Sequence, residues 1–79
     1  MSQRINPTTL YCSEGGSDKQ YTVWIEEQSG GFVVLFQFGP RGGWVQGGTK
    51  TPLPLGRAEA EKVLGRLVRQ KQAKGYVVG

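Results

Sequence analysis

The sequence predicts an α+β fold: a small antiparallel β-sheet with one C-terminal helix packed across it. Three observations carry this. Two β-rich runs, "QYTVWIEE" (20–27) and "FVVLFQF" (32–38), flank a short Ser-Gly-Gly connector, the pattern of a β-hairpin. The later stretch "GRAEAEKVLGRLVRQKQAKG" repeats apolar residues at helical rather than strand spacing. With 79 residues the chain makes one domain, 1–79, and a domain of this size buries only about 60% of its unfolded surface, so one compact core is all it can hold.

The elements follow in order. "TTLYCS" (8–13) combines β-branched and aromatic residues and reads as a first strand, which "EGGSDK" interrupts with turn chemistry. In the hairpin, Tyr21, Val23 and Ile25 alternate with Thr22, Trp24 and Glu26. In its second strand Phe32, Val34, Phe36 and Phe38 share one face while Val33, Leu35 and Gln37 share the other. Both faces are largely apolar, which marks a central strand covered on both sides. After a glycine-rich loop, "TKT" (49–51) can form a short further strand, and "PLPL" forbids helix until Gly56. One helix is expected over 57–74. Gly56 serves as N-cap, Glu59 is placed to reach back to it in the manner of a capping box, and Gly75 is a natural stop. At 100° per residue Ala60, Val63, Leu64, Leu67 and Val68 gather on the inward face and Lys62, Arg66 and Arg69 on the opposite one. Lys71 falls on the inward face, where a lysine lays its stem over the core edge and sends its ammonium toward the helix C-terminus. The last residues, "YVV", either add a strand or dock Tyr76 on the sheet.

Composition narrows the function. The net charge is +4, but it is uneven: residues 1–38 carry a net −2 and residues 39–79 a net +6. A basic half favours an anionic partner, nucleic acid first among them, although such a surplus also serves solubility alone. With no histidine and Cys12 as its one cysteine, the chain offers neither a disulfide framework nor a zinc ligand set. That suits a reducing, cytoplasmic setting, and the start "MSQRINPTT" lacks the apolar core of a signal peptide. No stretch reaches the roughly 20 apolar residues of a membrane span. The expected protein is a monomer that binds no membrane, metal or cofactor.

Catalysis has little to work with. Cys12 lies in a strand without an imidazole base and reads as a small core residue. Glu26 and Glu27 point to opposite faces of a strand, while Glu59 and Glu61 belong to the first helical turns, where the helix dipole accounts for negative charge. "GGTKT" lacks the spacing of a phosphate loop and opens no helix. No enzyme is expected.

The stretch "FGPRGGWVQGG" (38–48) remains. Five of its eleven residues are glycine, yet it carries Phe38, Arg41 and Trp44, and Lys50 follows. Glycine permits close backbone approach, arginine supplies a fork for phosphate, and an aromatic ring supplies a face for a sugar or an unstacked base. The alternative is a hairpin connection whose Trp44 folds back as a lid over the sheet.

"QYTVWIEEQSGGFVVLFQFGPRGG…QGGTKT…AEAEKVLGRLVRQKQAKGY" resembles a WGR domain. This module is named for a Trp-Gly-Arg motif and occurs in DNA-dependent poly(ADP-ribose) polymerases and in small bacterial proteins. The resemblance covers residues 20–77 and rests on an aromatic-glycine loop after a hairpin, a proline-bearing connector, and a helix ending in "KQAKGY". It implies an antiparallel sheet crossed by a helix, and nucleic-acid binding through the motif loop. In this chain Phe38 stands in the Trp position, Gly39 matches the Gly, and Pro40 occupies the Arg position, with Arg41 one residue further on and Gly42 after it. The expected function is a non-enzymatic DNA-binding module. Phe38, Arg41, Trp44 and Lys50 make the contacts, and Lys62, Arg66 and Arg69 add long-range attraction. The rival is a protein-interaction module that docks a partner on the same aromatics, without DNA.

Overall fold

β1 (Ile5–Glu14), β2 (Ser17–Gln28), β3 (Gly31–Pro40) and β4 (Gln46–Thr49) precede the single helix α1 (Arg57–Ala73), and β5 (Val77–Val78) closes the chain. A computed structural model describes residues 4–14, 17–28, 30–51 and 53–79. The strands form one five-stranded sheet in the order β4-β3-β2-β1-β5, antiparallel throughout, with α1 packed across it. The α+β architecture is the one periodicity predicts.

β1 is longer than the 8–13 run, because a bulge lets it continue through a proline. Ile5 pairs with Ile25 but Thr8 with Val23, so one extra residue is accommodated. Asn6 takes the left-handed conformation there (φ 51), and the bulge is where a strand tolerates Pro7. At its other end β1 runs to Glu14, which pairs with Ser17. Most of the expected "EGGSDK" turn is therefore strand, and Gly15 and Gly16 lie outside the described residues. The hairpin over residues 20–38 forms with Tyr21 opposite Phe38, Val23 opposite Phe36 and Ile25 opposite Val34. β3 is internal, as its two apolar faces require, although β2 holds the middle of the sheet.

Residues 46–51 differ from expectation. The fourth strand is Gln46–Thr49 rather than 49–51, so the last three residues of the glycine loop, Gln46, Gly47 and Gly48, belong to an edge strand paired with residues 35–38. After it the chain stays pinned along β3. The Lys50 N–H donates to the Val34 carbonyl at 2.8 Å, the Val34 N–H to the Thr51 hydroxyl at 3.1 Å, and Phe32 and Leu55 exchange two backbone bonds at 2.8 Å.

The core lies between sheet and helix. Leu10, Tyr21, Val23, Ile25 and Val34 meet Ala60 there, all fully buried. Val63, Leu64, Leu67 and Val68 face the same core as predicted but stay half-buried, because a lone helix leaves its flanks open. The other sheet face has a smaller apolar patch. Trp24 and Val33 are buried there, the Arg4 guanidinium lies 3.8 Å over the Trp24 ring, and the indole N–H donates to the Glu26 carboxylate at 3.1 Å. α1 starts at Gly56 in an extended conformation without a side-chain capping bond, so the Glu59 capping box is not formed. It ends in a Schellman motif: the Gly75 N–H donates to the Gln72 carbonyl at 3.1 Å, and the Tyr76 N–H to the Lys71 carbonyl at 3.0 Å. Gly75 sits at φ 100, which its lack of a Cβ permits. Both readings of "YVV" hold together, since Val77 and Val78 pair with Tyr11 and Leu10 while Tyr76 packs on the core. No helix among the described residues is long and apolar enough to cross a membrane.

Candidate functional site

Three aromatic rings form a row on the helix-facing side of the sheet. Phe36 and Phe38, two apart on β3, point to the same face and lie nearly parallel with centroids 5.9 Å apart. Tyr21 on β2 continues the row, 6.0 Å from Phe36. The row is buried at the Tyr21 end and open at the other, for two reasons. Among the described residues α1 packs on β1, β2, β3 and β5 but does not reach β4. On β4 the residue opposite Phe36 is Gly48, which has no side chain to lay over the ring. Phe38, opposite Gln46 on β4, is left 43% exposed, a large apolar ring near the end of a strand.

Lysines stand over this row. The Lys50 ammonium lies 4.5 Å from the Phe36 centroid, and that of Lys71 lies 4.5 Å from Tyr21 and 5.5 Å from Tyr76. Each cation sits within the range in which a ring quadrupole attracts it. Lys71 is nevertheless poorly placed as a charge. Burial, and then the positive charges of Lys74 and Lys50, hold its ammonium below the ordinary lysine range. Beyond Phe38 the surface dips into an open cleft of about 650 Å³, which Phe38 and Tyr76 line together with Asp18, Lys19 and Arg41. Tyr21 forms part of the buried floor of the row. It is 2% exposed, and its hydroxyl has no hydrogen-bond partner among the described residues.

The structure divides the four residues singled out from the sequence. Phe38 and Lys50 come together through Phe36 on the helix side. Arg41 borders the cleft, but its guanidinium is turned away, 4.7 Å over the Tyr11 ring. Tyr11 neighbours the core residue Leu10 on β1 and so faces the other side of the sheet. Trp44 stands at the tip of the β3–β4 hairpin, 93% exposed, and does not fold back as a lid. Lys62, Arg66 and Arg69 are exposed on the outer face of α1, away from the rings. Sequence reasoning missed Lys71, Tyr76 and Lys19 as neighbours of the site. Lys71 does lie on the inward face, as its place on the apolar stripe requires, but the spacing holds no sign that its ammonium stands over Tyr21 and Tyr76.

The glycines around the site have structural work to do. A Cβ on Gly39 would run into the Trp44 carbonyl oxygen and come within 3.0 Å of the Val45 Cα, so only glycine lets β3 and the returning chain approach this closely. What the site offers chemically is an apolar aromatic face with Lys50 and Lys71 over it, and a cleft where Lys19 stands beside Asp18, suited to an anion that carries a ring. Among the described residues no three Cys, Asp or Glu side chains converge as metal ligands would. Cys12 is free and half-buried. Compared with models of protein families, with curated proteins and with solved structures, the chain matches none.

Proposed function

We propose that this chain is a non-enzymatic nucleic-acid-binding module of WGR-like type, with DNA as its ligand. The observation that carries the reading is the lysine-flanked aromatic row: Lys50 and Lys71 stand over Phe36 and Tyr21, next to the exposed Phe38. Aromatic rings offer a face to sugar or base, and lysines beside them meet the phosphates that connect those groups. The net charge of +4 supports the same partner by raising its encounter rate. Arg41 at the cleft and Trp44 at the hairpin tip extend the surface along the same end of the sheet. Lys62, Arg66 and Arg69 act through their field from the outer helix face.

Fluorescence-anisotropy titrations of labelled duplex, nicked and single-stranded DNA at two salt concentrations test the proposal. Binding through phosphates weakens with salt at a logarithmic slope of about −0.9 per phosphate neutralised, and Lys50→Gln lowers that slope by about 1. Absence of binding at low salt sinks the proposal. A second reading, a protein-docking module, is favoured by the exposure of Trp44, Val45 and Leu53. A partner held by these apolar side chains gives an affinity nearly flat in salt.

A further inference from the structure

We infer that the nucleic acid this site takes is single-stranded, with one base seated in the cleft between Phe38 and Tyr76. The inference rests on the nucleic-acid reading above and names its substrate class. A base inside a duplex has both faces covered by its neighbours, so a protein ring can stack only on an unstacked base. In this protein the two rings that share the cleft are recessed, whereas Trp44, 93% exposed, stands at the hairpin tip. Phe38 ends a row on the sheet surface, Tyr76 follows the end of α1, and the space they share is an open cleft of about 650 Å³. That volume lies in the range of small-molecule sites, which run from about 300 to 1,000 Å³ and hold one base and its sugar. A duplex is too broad to enter.

The cations are arranged to match. Of the charged residues that line the cleft, Lys19 lies beside the two rings, Asp18 brings a carboxylate that accepts from the Ser13 hydroxyl, and the Arg41 guanidinium is turned over Tyr11; Lys71, 5.5 Å from Tyr76, leads from the cleft toward Lys50 on Phe36. A strand with its base between Phe38 and Tyr76 thus finds Lys19 at the cleft and Lys71 and Lys50 beyond it along its backbone. Crowding of Lys71 by Lys50 and Lys74 is relieved when a phosphate settles among them. The remaining basic stripe, Lys62, Arg66 and Arg69, is exposed on the outer face of α1. A duplex lying against that stripe would meet cations and no ring. The two modes of binding therefore use different side chains.

The test uses the full chain and labelled oligonucleotides: oligothymidine of about 12 nucleotides, a duplex of equal length, and oligouridine RNA. Anisotropy is expected to show a single strand, DNA or RNA, held at least tenfold more tightly than the duplex, with the tighter of the two identifying the sugar. Phe38→Leu keeps the apolar bulk and removes the flat face. It is expected to lower single-strand affinity about 5- to 100-fold, which brings the ratio of single-strand to duplex affinity toward one. Because that variant can also disturb folding, photocrosslinking of the unaltered protein to an oligonucleotide carrying 5-iodouracil gives an independent readout. The crosslinked peptide is expected to contain Phe38 or Tyr76. Duplex binding as tight as single-strand binding, or crosslinks confined to the outer face of α1, overturns this inference and leaves the nucleic-acid reading standing. Failure to bind any of the three oligonucleotides overturns both.

Discussion

Replacing Tyr21 by phenylalanine is expected to make the protein more stable, although Tyr21 is among its most buried residues. The ring is 2% exposed, packs 6.0 Å from Phe36 and lies under the Lys71 ammonium at 4.5 Å. Phenylalanine keeps all three relations. It removes only the hydroxyl, which is buried without a hydrogen-bond partner among the described residues. Such an orphaned group costs about 1–3 kcal/mol, so its deletion returns on the order of 1 kcal/mol. For 79 residues the unfolding entropy near 60 °C is about 0.17 kcal/mol/K, and the melting temperature should rise by about 6 °C. Circular-dichroism melts at pH 7, with urea titrations to confirm an unchanged m-value, measure this. Alkali sharpens the test. Burial raises the Tyr21 hydroxyl above its ordinary value of 10.0. Its folded-state value therefore exceeds its unfolded one, and the stability tied to the neutral hydroxyl, fully present below pH 10, is lost as pH climbs through the folded value. The advantage of Tyr21→Phe must grow above pH 10. A melting temperature that falls by several degrees would show that the hydroxyl is hydrogen-bonded and the reasoning wrong.

Two further substitutions separate fold from function. Lys71→Met should raise the melting temperature at pH 7 while weakening nucleic-acid binding. The folded-state value of Lys71 is lowered, so the charged form detracts from stability at neutral pH, and the gain should vanish as pH rises past the ordinary lysine value of 10.5. A loss of stability at pH 7 would mean that the cation–π contacts outweigh burial and repulsion. Gly39→Ala should cost about 1–3 kcal/mol, because its Cβ meets backbone of Trp44 and Val45 that cannot swing aside. Urea denaturation measures it, and a neutral result would show that the β3–β4 hairpin opens readily.

The fold was legible because its core obeys simple periods. Alternation from Tyr21 to Ile25 and from Phe32 to Phe38 set the hairpin register, and Ala60, Val63, Leu64 and Leu67 set the helix face. β4 was placed wrongly because Gly47 and Gly48 carry no side chains through which a strand pattern could show. Treating residues 39–48 as one loop also hid a parity rule. β3 runs on to Pro40, and the Arg41 N–H still bonds the Asp18 carbonyl at 2.9 Å, so Phe38 and Arg41 obey strand alternation. Three residues apart, they must face opposite ways. Lys50 joined Phe38 for a reason no local pattern contains: the edge strand folds back and returns it to the ring of Phe36.

The strand order β4-β3-β2-β1-β5 has a kinetic consequence. β1 to β4 form a meander in which each strand lies beside its predecessor, so the loops to be closed are short and the entropic barrier to zipping them together is low. The pairing of β1 with β5 is different, since it joins opposite ends of the chain and needs α1 to cross the sheet first. Tyr76 lies at that joint, between the helix and β5. One wall of the cleft, Phe38, is built by the early meander. The other arrives with the slowest event, and no half-folded chain can display the completed site.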